Sequence, residues 1–162
     1  MAEAVDSILD YQEGISEVEW LHSCPPVQIH LNDEITPELA AEFESAFREV
    51  QQSKQKEVLV VINSAGGCLY SAFKIVDILK NSNTKIVTLV RGAAMSAAAL
   101  IFSCGDERIV NPNASIMIHT VRSYSGEVSI QELENEIDHT RRLQDMMCRT
   151  MAENCNKRVT FF

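Results

Sequence analysis

"KIVTLVRGAAMSAAALIF" occupies residues 85–102. Its first six residues are rich in β-branched and apolar side chains, the pattern of a strand covered on both faces. From Met95 onward the residues are small or apolar and predict a helix, with Gly105 as its stop. Ser96 is the one side chain from Arg91 to Phe102 able to act as a nucleophile, and Arg91 is the one charge. A strand running straight into a helix is half of a parallel crossover unit.

The flanking sequence repeats that unit. "EVLVVIN" (57–63) is a second apolar strand, and "LYSAFKIVDILKNS" (69–82) is a helix with Ala72, Ile75, Val76 and Leu79 on one face. Upstream, "VQIHL" (27–31) alternates as a strand does. Thr36 then caps a helix, Pro37 occupies its first position, and Leu39, Phe43, Phe47 and Val50 recur at helical spacing. Downstream, "ERIVNPNASIMIH" (107–119) reads as two short strands around an Asn-Pro-Asn turn. Residues 129–154 predict a long helix with Ile130, Leu133, Ile137, Leu143, Met147 and Met151 as its apolar stripe. That is more apolar surface than a terminal helix is expected to bury in its own domain, so the stripe reads as a surface for another copy of the chain. The two terminal phenylalanines read as part of a buried element.

With 162 residues, 46% of them apolar and 23% charged, the chain fits one soluble domain. Its net charge is −9, and it has no cluster of Lys or Arg, so nucleic-acid binding is not expected. Glu3, Asp6, Asp10, Glu13, Glu17 and Glu19 precede any basic residue, which marks residues 1–26 as a solvated acidic arm. Cys24, Cys68, Cys104, Cys148 and Cys155 include no C-x-x-C pair, so neither a disulfide framework nor a zinc site is expected. No signal peptide and no apolar run of membrane length is read, which makes the cytoplasm the expected location.

Three features fall at the carboxyl ends of predicted strands, where sites in such sheets form. In "NSAGGCLY" (63–70) two adjacent glycines allow positive φ and leave backbone N–H groups uncovered. Such groups can cradle a phosphate or an oxyanion, or the glycines can simply make a tight turn. Ser96, at a helix start, is either an N-cap or a nucleophile whose following N–H, on Ala97, favours developing negative charge. His119 closes the strand "SIMIH" and is either a half-buried strand-end residue or a base. A serine needs an adjacent base to become nucleophilic, so Ser96 and His119 support each other. His22, His30 and His139 have no comparable setting.

"VINSAGG", "RGAAMSAAAL" and "NPNASIMIH", in that order, closely resemble the proteolytic subunits of Clp protease, from about Val27 to about Asn154. The resemblance implies an α/β fold of the ClpP and crotonase type, with repeated β-α units and a protruding handle of a strand and a long helix. It implies a serine peptidase with Ser96 as nucleophile, His119 as general base, and the N–H groups of Gly67 and Ala97 as oxyanion hole. No metal or organic cofactor is implied. Implied partners are polypeptide substrates, an AAA+ unfoldase ATPase, and copies of the chain itself in heptameric rings stacked as tetradecamers.

Ala65 stands where the family has proline, and Ala98 where it has glycine. The interval from Ser96 to His119 is slightly short, which is expected in a hairpin around Asp106 and Glu107. The family's third triad residue, an aspartate beyond the handle helix, has no matching position. Either the peptidase domain over 27–162 is truncated at its C-terminal end, or the orienting acid comes from elsewhere; neither Asp138 nor Asp145 is assigned to it. Other readings stay open: a non-catalytic ring subunit, a phage or viral capsid-maturation protease, and a crotonase-type acyl-CoA enzyme.

Overall fold

The computed structural model describes residues 27–53 and 55–162, so the acidic arm, His22 and Cys24 lie outside the described residues. The chain runs β1 (Val27–Asn32), α1 (Pro37–Gln52), β2 (Glu57–Ser64), α2 (Leu69–Lys80), β3 (Lys85–Met95), α3 (Ala97–Ser103), β4 (Glu107–Val110), β5 (Ser115–Met117) and α4 (Ile130–Asn154). A 3-10 turn at Val159–Phe161 follows. Thr36 caps α1 through its side chain, which accepts from the Leu39 N–H at 3.2 Å, with Pro37 just inside.

Every strand pairing is parallel, in the order β1-β2-β3-β4, with β5 also on β3. The helices that connect successive neighbours pack on one face of the sheet. There Phe43 and Phe47 of α1, Ile75 of α2 and Leu100 of α3 share a core with Val58, Val60 and Ile62 of β2. On the opposite side-chain set, Leu59, Val61, Val87 and Leu89 form a separate buried cluster. Both side-chain sets of β2 and β3 are thus out of water, as their continuous apolar runs require.

β3 does not stop at Val90 but continues to Met95. The continuation passes a bend at Gly92, whose φ is +110° and whose missing Cβ leaves room for the Asn63 amide. Asn63 fills the bend by accepting from the Ala93 N–H at 3.2 Å. β4 then pairs with the first half of β3 (Val87–Val90) and β5 with the second half (Ala93–Met95).

The hairpin expected around Asp106 and Glu107 is therefore not there. A strand returning from α3 must run parallel to β3, so this corner joins a helix to a strand. The Asp106 N–H donates to the Ile86 carbonyl and the Asp106 carboxylate accepts from the Ile86 N–H, both at 2.8 Å.

α4 divides along its length. A reciprocal capping box starts it: the Ser129 hydroxyl accepts from the Glu132 N–H at 3.3 Å, and the Glu132 carboxylate accepts from the Ser129 N–H at 2.8 Å. Its second half is packed, with Met147, Cys148, Met151 and Ala152 buried. Asn154 anchors that end by donating to the Ser103 hydroxyl at 2.8 Å. Its first half projects, leaving Ile130 79%, Leu133 45% and Ile137 43% exposed.

Met147 and Met151, part of the stripe expected to meet another copy, thus belong to the chain's own core. The segment between β5 and α4 enters no ladder within the chain. Of the two terminal phenylalanines, Phe162 packs against the core and Phe161 is exposed. Among the described residues no helix is long and apolar enough to cross a membrane.

This division predicts opposite outcomes for one substitution at two points of α4. Met147→Glu buries an unpaired carboxylate and lowers the unfolding free energy by roughly 4 kcal/mol or more. Ile137→Glu changes the stability of a single chain by less than about 0.5 kcal/mol, as exposed substitutions do. Urea titrations followed by circular dichroism check both, and equal losses would contradict the division.

Candidate active site

Ser96 makes the corner between β3 and α3 alone, since β3 ends at Met95 and α3 begins at Ala97. Its backbone has φ +53° and ψ −120°, and its side chain makes no capping hydrogen bond. The N-cap alternative is therefore not what the serine does. A side-chain-bearing residue at positive φ costs on the order of 1–3 kcal/mol and persists only where its surroundings hold it.

Here the backbone is held from both sides. The Ser96 N–H donates to the Met117 carbonyl at the end of β5, at 2.7 Å. The Ser96 carbonyl accepts from the Ala99 and Leu100 N–H groups of α3, at 3.0 and 3.3 Å. A strained turn from strand to helix that exposes a serine hydroxyl is the geometry of a nucleophile elbow.

The glycine pair lies directly against this corner. A Cβ on Gly66 would stand 2.6 Å from the Met95 carbonyl oxygen and 2.8 Å from the Ser96 Cβ, so a side chain there would push the two turns apart. Gly66 and Gly67 have φ of +98° and +147°. The Gly66 N–H donates to the Ser64 hydroxyl at 3.1 Å. Ile35 clamps the turn from behind: its N–H donates to the Gly66 carbonyl, and its carbonyl accepts from the Cys68 N–H, both at 2.8 Å.

Among the described residues, no acceptor pairs with the Gly67 N–H. Ala97, as the first residue of α3, has an N–H with no partner inside the helix. Both residues line one cleft of about 490 Å³ together with Ser96 and His119. The four residues singled out from sequence are thus brought together.

His119 follows two residues after Met117, so the bond that pins Ser96 also brings the histidine to the same edge of the sheet. Its Nδ1 lies 2.6 Å from the Thr120 carbonyl oxygen. A carbonyl can only accept, so Nδ1 carries a proton, and in the neutral imidazole this leaves the lone pair on Nε2, the arrangement a general base needs. Among the described residues no carboxylate bonds to this ring. Asp138 pairs instead with Arg141 at 3.4 Å.

Several residues of the cleft are not found by sequence reasoning. His139, read as having no comparable setting, lines it from α4. Its ring stacks on Tyr70 of α2 and bonds to the Tyr70 hydroxyl. The apolar wall includes Leu143 and Met147 of α4. Glu136, bonded to the Ser123 hydroxyl, and Arg122 complete the polar rim. Helical spacing puts Leu143 and Met147 on the apolar stripe but gives no sign that they or His139 line this cleft, because that depends on how α4 lies against α2. Cys68 lies beside the glycine turn; burial pushes its thiol up, but hydrogen bonds from Ser71 and the N–H groups of Ser71 and Tyr70 outweigh this and hold it below the ordinary thiol value.

A protein-family model described as Clp protease matches residues 24–161. The chain is 32% identical over 111 residues to the ATP-dependent Clp protease proteolytic subunit 1 of Tropheryma whipplei, an alignment covering 67% of this chain and 54% of that protein. It is 27% identical over 137 residues to the ATP-dependent Clp protease proteolytic subunit of Carsonella ruddii, covering 81% and 68%. The chain thus spans about half the length of the first of these relatives. A mutant of ClpP1 from Listeria monocytogenes superposes with a TM-score of 0.75 at 22% identity, over 83% of this chain and 75% of that one, which shows a shared fold.

The strain at Ser96 predicts a trade between stability and chemistry. Ser96→Gly removes a side chain from a positive-φ position, and relief of strain exceeds the added backbone entropy of the unfolded chain. It should raise the unfolding free energy by about 1 kcal/mol, read as a higher urea midpoint. A lower midpoint would contradict the strained corner.

Proposed function

The chain belongs to the Clp protease family, and on that premise we propose that it is a serine peptidase acting through Ser96 and His119. One observation carries the reading: a serine held at positive φ, free of any capping role, in one cleft with a histidine of fixed tautomer and the N–H groups of Gly67 and Ala97.

In this mechanism His119 Nε2 takes the Ser96 hydroxyl proton as Oγ attacks the peptide carbonyl carbon. The carbonyl oxygen becomes an oxyanion, and the Gly67 and Ala97 N–H groups donate to it. Removing one such donor typically costs about 3–4 kcal/mol of transition-state stabilisation. The protonated His119 then gives its proton to the leaving amine, and an acyl ester remains on Ser96. Water, deprotonated by His119, cleaves that ester and restores the serine. No Ser96–His119 hydrogen bond is present among the described residues; such bonds are commonly loose in free enzymes and tighten with substrate.

The Thr120 carbonyl orients the imidazole but carries no full negative charge to stabilise the imidazolium. An orienting carboxylate therefore belongs to the complete mechanism, and we place it outside the described residues. Polypeptides are the proposed substrates, fed by an AAA+ unfoldase into a chamber of stacked rings. Support for assembly comes from the projecting half of α4, where Ile130, Leu133 and Ile137 present an apolar stripe that copies of the chain can cover.

Ser96→Ala should reduce hydrolysis of a fluorogenic peptide to background, a loss on the order of 10⁶-fold where the orienting carboxylate is in place, with the circular dichroism spectrum and light-scattering mass unchanged. Retention of most of the activity would overturn the assignment.

A further inference from the structure

Arg122 is the one Lys or Arg side chain, among the described residues, that lines the Ser96 cleft. The carboxylate and the two imidazoles of the cleft are engaged: Glu136 bonds to Ser123, His139 bonds to Tyr70, and His119 bonds to the Thr120 carbonyl. Arg122 makes no ion pair and no side-chain hydrogen bond with any described residue. It stands three residues beyond His119, in the segment between β5 and α4 that enters no ladder within the chain.

We propose that Arg122 is a specificity residue that favours peptides carrying a carboxylate close to the scissile bond. The inference rests on reading the cleft as a peptidase site. A guanidinium presents a planar fork of donors that fits a carboxylate in two parallel hydrogen bonds, which a neutral amide side chain cannot match. The net charge of −9 makes this position a local exception. The field of the whole chain disfavours an acidic peptide, and a cation inside the cleft reverses that preference at one place. The carboxylate can come from an Asp or Glu side chain or from the end of a peptide. Because Arg122 is exposed, the discrimination is modest and sensitive to salt.

The test uses amidated peptides that differ by a single Gln or Glu, placed in turn at each position around the cleaved bond, and one peptide with a free or an amidated C-terminus. The quantity read is the ratio of kcat/KM within each pair. At one position the acidic member should be favoured by about twofold to fivefold in low salt, falling towards one in about 0.5 M salt. Arg122→Gln should bring the ratio to about one, Arg122→Glu should invert it, and Arg122→Lys should keep part of it. A ratio that depends on Arg122 only for the free C-terminus supports the proposal with the chain end as the carboxylate. A ratio of one at every position, or one unchanged in Arg122→Gln, overturns it. Binding of the same labelled pairs to Ser96→Ala, read by fluorescence anisotropy, separates the two claims. If nothing is cleaved, the peptidase reading fails, and the binding ratio still decides the role of Arg122.

Discussion

The hydrogen bond from the Ser96 N–H to the Met117 carbonyl, at 2.7 Å, ties the two halves of the site to one edge of the sheet. It requires β3 to run on past Val90, because only the second half of β3 is available to β5. It requires β5 to be parallel to β3, so that the chain leaves β5 beside the serine and carries His119 there. It also fixes the corner at positive φ, since the N–H is held to β5 while the carbonyl is held by the first turn of α3. Slipping β5 by one residue would break this bond and turn the neighbouring side chains to the other face.

The rest of the fold supplies the rigidity this corner needs. A strained residue costing on the order of 1–3 kcal/mol is a sizeable fraction of a small domain's net stability. It is offset by well-buried surroundings: Ala97, Ala98 and Leu100 of α3 are within 2% of full burial, as are Val58, Val60 and Ile62 beneath them. The alanines are small because α3 must lie close to the sheet, and Gly66 has no side chain because the neighbouring turn touches the same corner. The run of small residues and the glycine pair therefore answer one steric requirement. The clamp of Ile35 on that pair adds a second support from the far side.

Much of this is legible in the order of the amino acids. The apolar runs of β2 and β3, the Thr36–Pro37 start of α1 and the Ser129 start of α4 are local signals, and local physics produces those elements. Ser96, His119, Gly67 and Ala97 are identifiable because each closes or follows a strand, and order along the chain maps directly onto one edge of a parallel sheet. What is not legible depends on contacts between distant segments. Nothing near Asp106 shows that β4 returns parallel to β3. The periodicity of α4 makes Ile130 and Met147 look equivalent, whereas the helix leaves the body partway along and buries only the second. His139 looks isolated along the chain because Tyr70 lies a whole crossover away. Ile35, a single apolar residue after Asp33, carries no pattern from which a clamp could be read.

The account stands on Ser96 being a nucleophile activated by His119. Incubation with a peptidyl phosphonate diphenyl ester, followed by intact-mass measurement and peptide mapping, tests this most directly. The account predicts one covalent adduct per chain, located on Ser96 and lost in His119→Ala with the fold retained. An adduct on another residue, no adduct under conditions that label a reference serine peptidase, or labelling of Ser96 that is indifferent to His119 would contradict it.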